Sequence, residues 1–247
     1  MSRVFTTSLM SLMLLGSCVY RGWSSSGDAL VASGAVPLQV HPDSQLSTRI
    51  AISGGMGVEY ISAPDIVDFV NAAAATAGAT QRLSEFKSAV QFFGALAYPL
   101  SIDWVLKGEY VYLLGSYNPD IPFRSTEFTL TVHMPSIILQ YVLWDERLYN
   151  VKVGGGLGYH VASLSTKYLT VDDQLTGKGL GVVTDLEANT AFGDHVFAYL
   201  GVDIRWEFIG KLENNASGSQ ASQYAVVTLP TGNAFGIGAR LGFSYYF

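Results

Sequence analysis

Over the last stretch of the chain, apolar and small or polar residues alternate one for one. Phe235, Ile237, Ala239, Leu241, Phe243, Tyr245 and Phe247 share one face of an extended strand, and Gly236, Gly238, Arg240, Gly242 and Ser244 share the other. A period of two is the signature of a strand whose faces meet different surroundings. Residues 196–208 repeat it, with Val196, Ala198, Leu200, Val202, Ile204, Trp206 and Phe208 against Phe197, Tyr199, Gly201, Asp203, Arg205 and Glu207. Segments at 49–60, 87–98, 102–115, 126–143, 150–162 and 177–192 alternate in the same way, which makes eight strands. In the fourth, the apolar set passes from Phe128, Leu130 and Val132 to Ile137, Leu139 and Tyr141 around Pro135. That change of parity predicts a bulge at the proline.

The connections alternate as well. They are short around 99–101, 145–148 and 193–194, and longer over 61–86, 116–125, 163–176 and 209–233. Short turns at one end and long loops at the other mark a barrel that crosses a membrane. The first long connection carries Ser62 as a helix cap, Pro64 in the first turn, and Ile66, Phe69, Val70 and Ala73 at helical spacing. These predict a helix of about three turns, packed on the rim or acting as a lid. The expected fold is all-β: an eight-stranded antiparallel transmembrane β-barrel over residues 47–247, with a short helix in its first outer loop.

Charge strengthens this reading. Only 14% of residues are charged, against roughly 25% in a soluble domain. No apolar run approaches the 18–20 residues, roughly, of a membrane-spanning helix. A closed barrel is the remaining way to embed such a chain in lipid. Bulky aromatics collect where the strands end, at Tyr60, Tyr98, Trp104, Tyr141, Trp144, Phe192, Trp206 and Phe208, as the aromatic girdles of a barrel would. The net charge of −6 excludes the basic stripe of a nucleic-acid-binding protein.

The N-terminus reads as an export signal. Arg3 precedes an apolar run from Val4 to Leu15, and Leu15-Gly16-Ser17-Cys18 resembles a bacterial lipobox. We expect a signal peptide over 1–17, lipidation of Cys18, and a Ser-, Gly-, Ala- and Pro-rich linker over 18–46. The alternative is an ordinary signal peptide with a chance cysteine. Cys18 is the sole cysteine, so no internal disulfide can form.

Residues 150–160 (NVKVGGGLGYH), the preceding 135–144 (PSIILQYVLW) and the terminal 242–247 (GFSYYF) resemble the outer-membrane β-barrel superfamily that includes the OmpA transmembrane domain and OmpW-like proteins. The resemblance spans about residues 47–247. It implies residence in the cell outer membrane, with loops exposed at the surface. Implied partners are outer-membrane lipid, lipopolysaccharide and the barrel assembly machinery, for which Tyr245 and Phe247 would form the assembly signal. It implies a structural or interaction role. An OmpW-like conduit for small apolar solutes is the alternative, and a lipid-modifying enzyme a more distant one. The helix-bearing first loop departs from a typical OmpA-like loop.

The candidate chemistry lies on the polar parity. Arg49, Glu59, Lys107, Glu109, Lys152, Asp185, Glu187, Asp203, Arg205, Glu207 and Arg240 should point inward, and Lys87, Asp103 and Glu127 share that parity. An eight-stranded barrel has room for side chains and little else. Buried charges must pair, so we expect a salt-bridge network filling the lumen; a gated conduit or polar ligand site is the alternative. The histidines at 41, 133, 160 and 195 lack metal-site spacing, and no cofactor is expected. His160 with Ser163 and a nearby glutamate could form a hydrolytic triad, but sequence spacing does not establish one. The expectation is of a protein without enzymatic activity.

Overall fold

The computed structural model describes residues 45–247 apart from 77, 80, 85, 120–126, 169–170 and 215–228. The expected signal peptide, Cys18 and the linker up to residue 44 lie outside the described residues. The elements are β1 (Ala51–Ser62), α1 (Pro64–Thr76), β2 (Phe86–Pro99), β3 (Trp104–Tyr117), β4 (Glu127–Asp145), β5 (Tyr149–Tyr168), β6 (Val171–Ala191), β7 (Val196–Ile209), a two-residue β8 (Glu213–Asn214) and β9 (Ala234–Tyr246). The eight long strands pair antiparallel in the order β5-β4-β3-β2-β1-β9-β7-β6, and pairing of β5 with β6 closes the ring. Closure leaves the long strands no free edge, as a lipid-embedded sheet requires. β8 pairs only with β6, at Leu175 and Thr176.

Outward-facing apolar residues on every wall strand are exposed, among them Ile52, Phe92, Leu106, Ile137, Leu157, Leu186, Leu200 and Leu241. So continuous a belt would be a severe liability in water, and it is the surface a bilayer solvates. Trp104 and Tyr141 meet edge to face at 5.2 Å near the short turns, and Trp206 and Phe235 lie 5.7 Å apart near the long loops. The terminal Phe247 N–H donates to the Ile50 carbonyl at 3.0 Å.

Two expectations about the strands are corrected. There is no bulge at Pro135. The β4–β5 register is the same on both sides of it, at His133↔Val161 and Ser136↔Gly158, and the shift occurs between Val142 and Trp144. Nor is 163–176 a loop, because β5 and β6 run on to Tyr168 and Val171. Both follow from one cause. Towards the long loops the polarity of the wall inverts: Phe128, Leu130, Val132, Leu164 and Leu175 are buried inward, while Lys178 and Gln174 stand exposed outward. Strands leaving the bilayer pass from a lipid solvent to water, so the apolar face switches sides without any slip of the strand.

Helix α1 forms where expected, but Ala63 provides the first helical acceptor, from the Val67 N–H at 3.0 Å. Ser62 is instead the last residue of β1, paired with Phe86 and Phe235. Ile66, Val67, Phe69 and Val70 are buried and join Leu113, Leu130, Val132, Met134 and Leu164 in one apolar cluster filling the loop-end mouth. The Asn71 side chain accepts from the Leu83 N–H at 2.8 Å and donates to the Leu83 carbonyl at 3.4 Å. Thr231 hydrogen-bonds Asp65. At the opposite mouth, a 3-10 turn at Leu46–Thr48 puts Leu46 against Ala97, Val105, Phe197 and Tyr246. The Leu46 and Ser47 N–H groups donate to the Asp145 carboxylate at 3.1 and 2.9 Å.

Candidate functional site: the barrel lumen

Between these two apolar closures the lumen is polar, and most of its charged side chains are ion-paired. Lys107 bonds Asp185, and its Nζ lies 3.3 Å from Glu109 and 3.2 Å from Glu187. Lys152 reaches Glu187 at 2.6 Å. Arg205 pairs with Glu109 and Asp203, both at 2.6 Å, and Arg240 with the same two at 2.8 Å. All these side chains are buried. Alternation on β3, β5, β6, β7 and β9 sends them inward, and closure of the ring brings strands that are not neighbours within reach.

The remaining predicted positions fall elsewhere. Glu59 is buried but makes no ion pair among the described residues. Arg49 is half-buried just outside β1. Lys87 lies over the Tyr117 ring at 5.8 Å. Asp103 and Glu127, expected inside, are exposed: Asp103 sits in the turn before β3, and Glu127 accepts from the Ser116 hydroxyl at 2.8 Å. Asp103 precedes the strand, and Glu127 is on the outward parity of β4 with Ile137 and Leu139, its inward placement having rested on the supposed slip at Pro135.

Uncharged residues complete the network, and the charge pattern alone did not reveal them. The Gln140 amide donates to Asp185 at 3.0 Å and to Glu187 at 3.1 Å. Asn189 donates to Glu187 at 2.8 Å and to Asn150 at 3.0 Å. Ser244 donates to Asn189 at 2.7 Å, and Asn150 to the Tyr246 hydroxyl at 2.9 Å. Their shared inward parity was the available signal. Such amides satisfy carboxylate lone pairs that the cations leave over, which a buried ionic cluster needs.

Nearest the loop-end core lies a different arrangement. Ser136, Gly158, Gly181 and Glu207 occupy one lateral row across β4, β5, β6 and β7. The His160 imidazole lies over the two glycines. A Cβ at either glycine would overlap its ring. The ring bridges the row, with Nε2 3.2 Å from Ser136 Oγ and Nδ1 bonded to Glu207. Ser163 takes no part: it has the opposite parity and accepts from Gln174 at 2.6 Å. A hydroxyl, an imidazole and a carboxylate thus stand in the same order as the nucleophile, base and acid of a serine hydrolase. No three His, Cys, Asp or Glu side chains form a metal-holding group among the described residues.

The barrel aligns with a crystal structure of Neisserial surface protein A with a TM-score of 0.51 and 14% identity, over 80% of this chain and 97% of that one. The chain has the fold of the eight-stranded outer-membrane β-barrels. Ail of Yersinia pestis aligns with a TM-score of 0.48 and 10% identity, over 81% of this chain and 99% of its own. OprG of Pseudomonas aeruginosa gives 0.41 and 14%, over 81% and 96%. At such identities the likeness is one of fold. No protein family matches the chain by its sequence profile, and no curated protein matches it. Within this barrel, α1 is seated in the loop-end mouth and the serine–histidine–glutamate row lies beneath it.

Proposed function

We propose that this outer-membrane barrel is a non-conducting structural or interaction protein that presents its loop-end hairpins to partners at the cell surface. The observation that carries this reading is the triple closure of the lumen: α1 and its apolar cluster at one mouth, the ion-pair network in the middle, and the Leu46–Thr48 turn at the other. A conduit for apolar solutes finds little support. The cavity under α1 measures about 20 Å3, room for about one water molecule. Reconstitution into planar bilayers tests the reading. The wild type should give no sustained conductance, and steady nanosiemens-scale steps would overturn it.

Lipopolysaccharide is the partner best supported at the outer rim. Lys178 is exposed two residues beyond the lipid-facing Leu180, and Lys211 is exposed three beyond Phe208. The two segments adjoin, since the Gly210 N–H donates to the Lys178 carbonyl at 3.2 Å. Cations just outside an apolar belt suit the phosphates of a lipid headgroup layer.

A further inference from the structure

We infer that Ser136, His160 and Glu207 form a closed serine-esterase site whose substrate is a carboxylic ester bearing an acyl chain, admitted from the loop-end mouth when α1 withdraws. Three observations converge on it. The first is the row itself, with the imidazole nitrogens divided between a hydroxyl and a carboxylate. Nδ1–H donating to Glu207 leaves Nε2 free to accept the Ser136 proton, the arrangement a general base requires. Among the described residues, Glu109, Asp185, Glu187 and Asp203 are matched by lysine, arginine or amides and Glu59 makes no ion pair; Glu207 is the carboxylate that acts through a histidine on a hydroxyl.

The second observation is the cavity directly beyond the row. Met134 and Ala162 are the next inward residues after Ser136 and His160 on β4 and β5, and they line this cavity together with Glu207. The rest of its wall is largely apolar, with Leu113 and Leu130 at the side and Ile66 of α1 in the lining. Its present volume of about 20 Å3 excludes a substrate. The apolar side chains of α1 occupy the space an acyl chain would take, so an incoming chain could replace their contacts with similar ones. Third, Arg205 Nη2 donates to Glu109, the neighbour of Ser136 across β3 and β4. Arg205 Nη1, also buried, has no hydrogen-bond partner among the described residues. It is a candidate donor for the oxyanion.

The chemistry balances without a cofactor. Ser136 Oγ forms a bond to the ester carbonyl carbon while its proton passes to His160 Nε2. Collapse of the tetrahedral species breaks the carbon–oxygen bond to the alcohol, which leaves with that proton. Water then adds to the acyl-serine with His160 as base, releasing the carboxylic acid and restoring the hydroxyl.

An alkyl fluorophosphonate tests the site on the refolded full chain in detergent, with heat-modifiable gel mobility confirming the fold and mass spectrometry locating the adduct. Ser136 should be labelled, and Ser136→Ala and His160→Gln should abolish the adduct while remaining folded. Ser163→Ala should leave it unchanged. Asn71→Ala, which frees α1 from Leu83, should speed labelling about tenfold, the worth of the hydrogen bonds it removes. Folded wild type and folded Asn71→Ala that both stay unlabelled at Ser136 would overturn the proposal and leave the row as lumen filling. So would an adduct that persists in Ser136→Ala.

Discussion

Lys107 on β3 and Glu187 on β6 meet 3.2 Å apart across the lumen, although β4 and β5 separate their strands in the wall. The contact ties opposite sides of the ring together. It explains how one lysine can serve three carboxylates, since Glu109 and Asp185 approach the same Nζ.

Lys107→Met retains most of the side-chain volume and removes the charge. Three buried carboxylates would lose a partner, at a cost of about 3–5 kcal/mol. Urea unfolding in lipid vesicles, followed by tryptophan fluorescence, should show a loss of that size. Adding Glu187→Gln should recover part of it. A single variant as stable as the wild type would mean that the cluster is solvated and not sealed.

Val70 is fully buried in the α1 cluster. Val70→Asp would place an unpaired carboxylate among apolar side chains, which is unfavourable enough to expel the helix. Limited proteolysis should then cut within α1 while the rest of the barrel resists. Bilayer recordings should still show no sustained channel, because the ion-pair network remains below. Open-channel conductance in this variant would make α1 the sole barrier.

Much of the architecture was legible because alternation records which solvent each strand face meets. Leu200 and Gly201 are adjacent, and the first is exposed to the bilayer side and the second buried. The same logic could have excluded Ser163. Three residues from His160 along a strand, it must face the other way, whereas Ser136 shares the inward parity. What spacing could not show was the distance between β4 and β7, which depends on closure of the ring and on the hollow that Gly158 and Gly181 leave for the imidazole. The supposed slip at Pro135 had a different origin. There the sequence records a change of solvent along β4, from lipid to water, and a change of solvent looks the same as a change of register.

Lys178 and Lys211 should matter only in an anionic membrane. In vesicles containing lipopolysaccharide, the double alanine variant should lose about 1 kcal/mol of stability per lysine relative to wild type. In vesicles of neutral phosphatidylcholine the two proteins should unfold together. Equal loss in both would assign the lysines to the fold and not to the lipid.

For the N-terminus, the lipobox ending at Cys18 predicts acylation. Cells grown with a clickable palmitate analogue should tag the wild type and not Cys18→Ser. A wild type that reaches the outer membrane without the tag would leave an ordinary signal peptide as the reading.

The facing of β7 is the relationship on which the other predictions depend. Leu200 is 53% exposed and pairs laterally with Ala188 on β6 and Leu241 on β9. It lies about midway between the short turn before β7 and the girdle at Trp206 and Phe208. Leu200→Arg must therefore carry its guanidinium into hydrocarbon, at a cost of about 2–4 kcal/mol near the midplane. A positional test uses the native side chains' facing. In a Cys18→Ser background, cysteines are placed singly at the exposed Ala198, Leu200 and Val202 and at the buried Tyr199. Gly201 and Asp203 are left out, because a Cβ at Gly201 would sit 2.7 Å from the Tyr199 hydroxyl and loss of Asp203 would strand Arg205 and Arg240. Fluorophores at 198, 200 and 202 should be reached by a quencher attached to lipid chains, and the thiol at 199 should stay unreactive in the folded protein. Equal reaction of all four cysteines with a water-soluble maleimide in the folded protein would reverse the assignment. The apolar belt would then face inward, and a soluble barrel with its charges in water would replace the membrane-spanning one.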